Sequence, residues 1–119
     1  MVLVVDDIEV NNFYISEILR SINVDCVCAT NGMDAVEKCK NDTSIQLVLM
    51  DIQMPDMDGV ETLQEIKKMR PDLPIIAQTA YALIGDREKF LSLGCDDYLS
   101  KPIDPDLLKK TVKKYLNQE

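Results

Sequence analysis

The chain contains no histidine and no tryptophan, and aromatic residues make up only 5% of it. Zinc sites are built from histidine and cysteine at short spacings. With no histidine and no C-x-x-C pair, the sequence argues against a zinc centre. The four cysteines are Cys26, Cys28, Cys39 and Cys95. Cys26 and Cys28 alternate along an expected strand, Cys39 lies in a helical pattern and Cys95 follows Gly94. They read as reduced, mostly buried thiols rather than a disulfide framework. Basic residues are in deficit, 13 Lys and Arg against 21 Asp and Glu, giving a net charge of -8. Phosphate backbones are bound by basic patches, so nucleic acid is not expected as a direct partner. The excess of acid is compatible with a bound divalent cation, although solubility alone would also explain it. No apolar run approaches the ~20 residues of a membrane span, and no signal peptide opens the chain. The expected location is cytoplasmic, without membrane contact. Linkers, repeats and low-complexity stretches are missing too, which leaves one domain over residues 1–119.

What is present is an alternation of short apolar runs with helical patterns. A chain of 119 residues, 46% hydrophobic and 29% charged, can bury a core without staples. The organising stretch is Gln46-Leu47-Val48-Leu49-Met50-Asp51, followed by the turn-rich Ile52-Gln53-Met54-Pro55-Asp56-Met57-Asp58-Gly59. An apolar run bounded by turn signals reads as a strand buried on both faces, as inside a parallel sheet. Its terminal carboxylate falls where open α/β sheets bind ligands. The strand Val2 to Val5 ends in Asp6-Asp7, the strand Pro74 to Gln78 ends in Thr79, and Asp97 to Ser100 ends in Lys101-Pro102. Three acids, a hydroxyl and an ammonium thus arrive at one rim.

Between these strands, Val10, Phe13, Tyr14, Ile18, Leu19 and Ile22 recur at helical spacing and predict an inward face on a first helix ending near residue 21. Val24 to Ala29 is an expected strand. Thr30-Asn31-Gly32 is an expected turn, with Asn31 and Gly32 suited to positive φ. Ala35, Val36 and Cys39 mark a second helix stopping near Asn41-Asp42. Glu61 to Met69 predicts a third, with Leu63 and Ile66 inward. Ala82 to Leu93 predicts a fourth, with Gly94 as its C-cap. Asp104 and Pro105 open a last helix that carries Leu108, Val112, Tyr115 and Leu116 on one face. Five uninterrupted βα units imply a three-layer αβα fold around a five-stranded parallel sheet.

These motifs together resemble the receiver domain of bacterial response regulators. The resemblance rests on Val-Val-Asp6-Asp7, on Leu-Met-Asp51-Ile-Gln-Met-Pro-Asp-Met-Asp-Gly, on Thr79-Ala80 and on Tyr98-Leu-Ser-Lys101-Pro102, and it spans essentially the whole chain. It implies the flavodoxin-like strand order 2-1-3-4-5. It also implies Mg²⁺-dependent transfer of a phosphoryl group from a histidine kinase or histidine phosphotransfer domain onto Asp51, with the domain catalysing its own phosphorylation and dephosphorylation. By that resemblance Asp6, Asp7, Asp51 and the main-chain carbonyl of Gln53 hold the metal, Asp6 mostly through water. Lys101, Thr79 and the amides of Ile52 and Ala80 contact the phosphoryl oxygens. Thr79 and Tyr98 form the switch, its altered surface including Ala82, Ile84 and Lys109, and a cis bond precedes Pro102. The Asn11-Asn12 region and Gln78-Thr79-Ala80-Tyr81-Ala82 resemble receivers fused to hybrid histidine kinases, and both chain ends read as trimmed from a longer protein. A freestanding or truncated response regulator is the alternative, as a monomer or weak homodimer.

Plainer readings stand beside these. Asp6-Asp7 alone would be a helix cap, Thr79 a structural hydroxyl and Tyr98 a core residue. Asp56 and Asp58 suit turns, Met54 and Met57 loop packing. A phosphatase of the haloacid dehalogenase type also uses an aspartyl phosphate and Mg²⁺. It requires a second Asp two residues after the nucleophile, where this chain has Gln53. A degenerate receiver kept only for binding would lack one of the acids, Thr79 or Lys101, and none is missing.

Overall fold

The computed structural model describes residues 1–52, 59–80, Glu88 and 91–116. The strands are β1 (Val2–Val5), β2 (Cys26–Ala29), β3 (Leu47–Asp51), β4 (Ile75–Thr79) and β5 (Asp97–Ser100). All neighbours run parallel, as the βα alternation predicts, in the order β2-β1-β3-β4-β5 that the resemblance implies. Among the described residues the helices are α1 (Glu9–Arg20), α2 (Gly32–Asn41), α3 (Gly59–Met69) and α4 (Pro105–Leu116). The expected helix over 82–93 lies largely outside the described residues, as do Gln53 to Asp58 of the loop after β3.

Successive strand residues point to opposite faces, and here both faces are covered. Leu3, Val5, Val48, Met50, Ile75 and Ala77 pack with Ala35 and Cys39 of α2 and Leu63 and Ile66 of α3. Val2, Val4, Leu47, Leu49, Ile76 and Leu99 pack with Ile15, Ile18 and Leu19 of α1 and Leu108 and Val112 of α4. Burial on two faces is why β1 and β3 read as continuous apolar runs rather than alternating ones. Cys39 and Cys95 are buried and Cys26 and Cys28 half-buried, all four as free thiols.

Several local expectations change. The buried stripe of α1 is Asn12, Ile15, Ser16, Ile18 and Leu19, whereas Val10 is 67% and Phe13 65% exposed. The helix is rotated so that Asn12, not Phe13, faces the sheet. Its Nδ2 donates there to the carbonyls of Asp6 (3.0 Å) and Ala29 (3.3 Å), while its buried Oδ1 has no partner among the described residues. Asn31 is extended, not left-handed, and caps α2 by accepting from the Asp34 N–H at 2.8 Å; Gly32 opens that helix. Among the described residues, positive φ occurs at Asn23 (60°), in the turn after α1, and at Gly94 (110°). β2 begins two residues later than expected, and α3 two residues earlier.

The early start of α3 matters for the rim. A Cβ on Gly59 would collide with the backbone of Ile52 and lie 2.9 Å from the carbonyl oxygen of Asp51. The helix therefore presses on the residue that follows the β3 carboxylate. Only a hydrogen fits there, and the obstacle is main chain that cannot swing away. Gly59→Ala is expected to destabilise the domain by about 2 kcal/mol, within the range for overpacking, and to shift the NMR signals of Asp51 and Ile52 most. Thermal melting and amide spectra check both.

Candidate active site

Strand register brings the polar ends together. Val5 pairs with Met50, so Asp6 leaves β1 beside Asp51 at the end of β3. Asp51 pairs with Gln78 and Thr79 with Ser100, which brings β4 and the residue after β5 to the same rim. The backbone N–H of Lys101 donates to the Thr79 carbonyl at 2.8 Å, fixing the start of the turn. The Lys101–Pro102 peptide is cis, as expected.

Lys101 Nζ then reaches across the rim, 3.1 Å from Asp51 Oδ2 and 3.3 Å from Asp6 Oδ2. Asp6, Asp51 and Thr79 are buried, at 2%, 3% and 1% exposure, while Asp7 is half-buried. Each of Asp6, Asp7 and Asp51 offers an oxygen within 4.8 Å of the others. Among the described residues, three carboxylates against one ammonium leave the rim negative.

That imbalance appears in the titration of its members. Desolvation raises Asp7 above its ordinary value of 3.8, and the charges of Asp6 and Asp51 push it the same way against a backbone hydrogen bond. For Lys101, desolvation works to lower the value. The charge and hydrogen bond of Asp51, then those of Asp6, outweigh it, so the ammonium is held above 10.5.

Asp6 fixes the entry to α1 but does not cap it as the plainer reading had it, because the N-cap is Ile8, which has no side-chain cap bond. Asp6 Oδ1 accepts from the Ile8 N–H at 2.9 Å, and its Oδ2 accepts from Asn11 Nδ2 at 3.2 Å. Holding the turn and belonging to the site coexist because Oδ1 faces the Ile8 amide while Oδ2 faces Asn11 and Lys101. Asn11 thus joins the site as a donor that orients Asp6. Its signal in the sequence was its place one helical turn after the acid pair. The Ile52 N–H donates to the Gln78 carbonyl at 3.3 Å, a long bond that closes the end of the β3–β4 ladder. Ala80 is exposed, just beyond β4, and Tyr98 is half-buried against the α2–α3 side of the core. Gln53, expected to lend a carbonyl, lies outside the described residues, as do Ala82 and Ile84.

An all-oxygen donor set with a compensating ammonium suits a hard cation that keeps part of its water, as Mg²⁺ does. A thiophilic metal would find no soft ligand among these three residues.

Residues 2–113 match the family model described as the response regulator receiver domain, and the chain belongs to that family. It is a receiver domain of the two-component signalling type. The sensor histidine kinase RcsC of Salmonella typhimurium is 37% identical over 115 residues, 97% of this chain and 12% of the kinase. The transcriptional regulatory protein ZraR of Klebsiella oxytoca is 39% identical over 115 residues, covering 97% of this chain and 26% of that protein. The chain therefore spans a minor part of the curated relatives it matches. Among solved structures, the receiver domain of sensor histidine kinase PA1611 from Pseudomonas aeruginosa PAO1 superposes with a TM-score of 0.86. It is 34% identical and covers 98% of this chain and 97% of that one, and it carries a magnesium ion coordinated in its active-site cleft. No helix among the described residues is long and apolar enough to cross a membrane.

The raised Asp7 carries a pH signature of fixed sign. A carboxyl whose folded pKa lies above its unfolded one favours the folded state fully below the unfolded value, and that contribution is lost as pH rises through the folded value. Metal-free stability attributable to Asp7 is therefore expected to fall as pH climbs past 3.8. Asp7→Asn is expected to melt higher than the wild type at pH 7 without metal, with the gap closing toward pH 3. Melting curves across that range decide it.

Proposed function

We propose that this domain accepts a phosphoryl group from a phosphohistidine onto Asp51 in a Mg²⁺-dependent reaction, and that the aspartyl phosphate shifts its conformation to pass the signal on. The observation that carries the reading is Lys101 Nζ held between Asp51 and Asp6, 3.1 and 3.3 Å away, in a protein of net charge -8. An ordinary strand-end acid would not need a cation delivered from two strands away.

In the reaction, an Asp51 carboxylate oxygen forms the O–P bond while the P–N bond to the donor imidazole breaks and its electron pair stays on the ring nitrogen. Little covalent chemistry is asked of the protein; it positions the groups and offsets charge on the transferring oxygens. Lys101 exchanges its contact with Asp51 for one with a phosphoryl oxygen. The Thr79 hydroxyl and the Ala80 amide bind others, and the Ile52 amide is released from its long bond to Gln78 to join them. Asp6, Asp7, Asp51 and the Gln53 carbonyl would hold Mg²⁺, which when bound neutralises charge shared between the carboxylates and the phosphoryl group. Hydrolysis of the acyl phosphate by water returns Asp51 to its starting state.

The donor is a histidine kinase or a histidine phosphotransfer domain, a reading supported by an apolar patch beside the site. Ile8, Val10 and Phe13 are 52%, 67% and 65% exposed at the start of α1, directly after the acid pair. An exposed apolar patch rimmed by polar groups marks a contact surface. Likeness to RcsC supports a parent protein of the hybrid kinase kind, and likeness to ZraR favours a response regulator as the second reading.

With acetyl phosphate and Mg²⁺, intact-mass measurement is expected to show one added phosphoryl group. Asp51→Asn keeps the fold and loses the label, and chelation of Mg²⁺ suppresses it in the wild type. Equal labelling of Asp51→Asn would move the acceptor elsewhere.

The conformational step follows from which groups can sense the new charge. A ligand shifts an equilibrium only through differential contacts with the two states. The Thr79 hydroxyl is drawn toward the phosphoryl group, and Tyr98 turns inward into the space vacated on the β4–β5 side. Thr79→Ala is expected to keep phosphoryl acceptance while weakening the response, read as amide shifts around Tyr98 on adding beryllofluoride. Full wild-type shifts in that variant would overturn the coupling.

A further inference from the structure

Beside the carboxylate rim, between the start of α1, the end of β4 and the Lys101–Pro102 turn, lies a cavity of about 500 Å³. That volume falls in the range of small-molecule sites. Tyr14, Ile15, Pro102 and Ile103 supply apolar wall, and Asp6, Lys101 and Gln78 the polar part. Tyr14 is anchored there by donating its hydroxyl proton to the Ile103 carbonyl at 3.2 Å. Gln78 is the unusual member. It follows Ile76 by two residues and so shares the α1–α4 face of the sheet with it. At 2% exposure its Nε2 has no hydrogen-bond partner among the described residues. Buried side-chain donors are nearly always paired, so each exception asks for a reason.

We propose that this cavity is an accessory site for a small neutral molecule with an apolar body and a carbonyl or hydroxyl acceptor, the acceptor taking a hydrogen bond from Gln78 Nε2. The charge of the rim sets the class. Asp6 lines the cavity itself, and Lys101 is already shared between Asp6 and Asp51. An anionic head would meet net negative charge, whereas a neutral molecule avoids that repulsion and its acceptor can pair with the Gln78 donor buried at the cavity wall. Occupancy would brace Lys101 and Tyr14 next to the phosphoacceptor, and so slow phosphoryl acceptance without touching Asp51.

Acetophenone, with benzoate as its anionic counterpart, is a suitable probe pair, titrated into ¹⁵N-labelled protein with and without Mg²⁺. Acetophenone is expected to shift the Gln78 side-chain amide and the backbone amides of Tyr14 and Ile103 in a saturable way, and benzoate to shift them far less without Mg²⁺. Gln78→Leu removes the unpaired donor and is expected to melt at or above the wild type while weakening acetophenone about fivefold, the loss of one hydrogen bond. Ile103→Trp is expected to fill the space and abolish binding. No saturable shift at Gln78, or equal binding by Gln78→Leu, would overturn the site. Labelling by acetyl phosphate is read separately, so a failed titration leaves the phosphoacceptor assignment standing.

Discussion

A single ammonium between two buried carboxylates is the contact on which the rest of the molecule depends. Lys101 leaves the end of β5, crosses the mouth of β4 and meets Asp51 and Asp6 at the ends of β3 and β1. Burying two carboxylates is expensive unless each gains charge-assisted partners. The rim provides them unequally. Asp6 has Lys101, the Ile8 amide and Asn11, so its charge is well answered. Asp7 is left on the outer side, where desolvation and its neighbours raise its pKa. The charge of the rim is therefore only partly answered from within the protein.

The sheet makes that contact possible. Lys101 can span the rim only because β1, β3, β4 and β5 are neighbours in register, with Val5 opposite Met50, Asp51 opposite Gln78, and Thr79 opposite Ser100. A slip of one residue in any pair would exchange the side chains packed on the two buried faces as well as separate the charges. Core and site therefore enforce the same alignment. The α1–α4 face holds β1 and β3 through Val4 and Leu49, the α2–α3 face through Val5 and Met50. Away from the rim, Lys67 joins Asp96 at 2.8 Å, and the same Asp96 oxygen accepts from the Ile75 N–H at 2.8 Å. This pins the far end of β4 to the segment before β5.

The same rim divides into two environments. On one side are charged groups that take part in phosphoryl chemistry under the proposed reading. On the other, Gln78, Tyr14 and Ile103 line an apolar recess that shares Lys101 and Asp6 with the first. Because Lys101 belongs to both, whatever fills the recess acts on the energetics of the charged half through one side chain.

How much of this was legible in the sequence follows from the range over which each feature is decided. Apolar runs, capping residues and strand-end acids are local. The strand-end places of Asp6, Asp7, Asp51, Thr79 and Lys101, the parallel sheet and the cap at Asp104 could be read directly, because burial on two faces and helix initiation leave marks within a few residues. The motifs even placed Lys101 with the acids 95 and 50 positions away, since all end strands of one parallel sheet. The rotation of α1 was not local. Phe13 and Val10 are more apolar than Asn12, yet Asn12 faces inward, where the carbonyls of Asp6, just after β1, and Ala29, at the end of β2, accept from its Nδ2. Asn31 likewise looked like a left-handed turn residue until the start of α2 gave its side chain an amide to cap. Gly59 carries no chemical signal at all; its need is for empty space against the Ile52 backbone. Residue chemistry and spacing were determined by the sequence alone. Which polar groups share a pocket, and which side chain has no room for a methyl group, was decided by tertiary structure, because both depend on atoms brought close only when the strands pair.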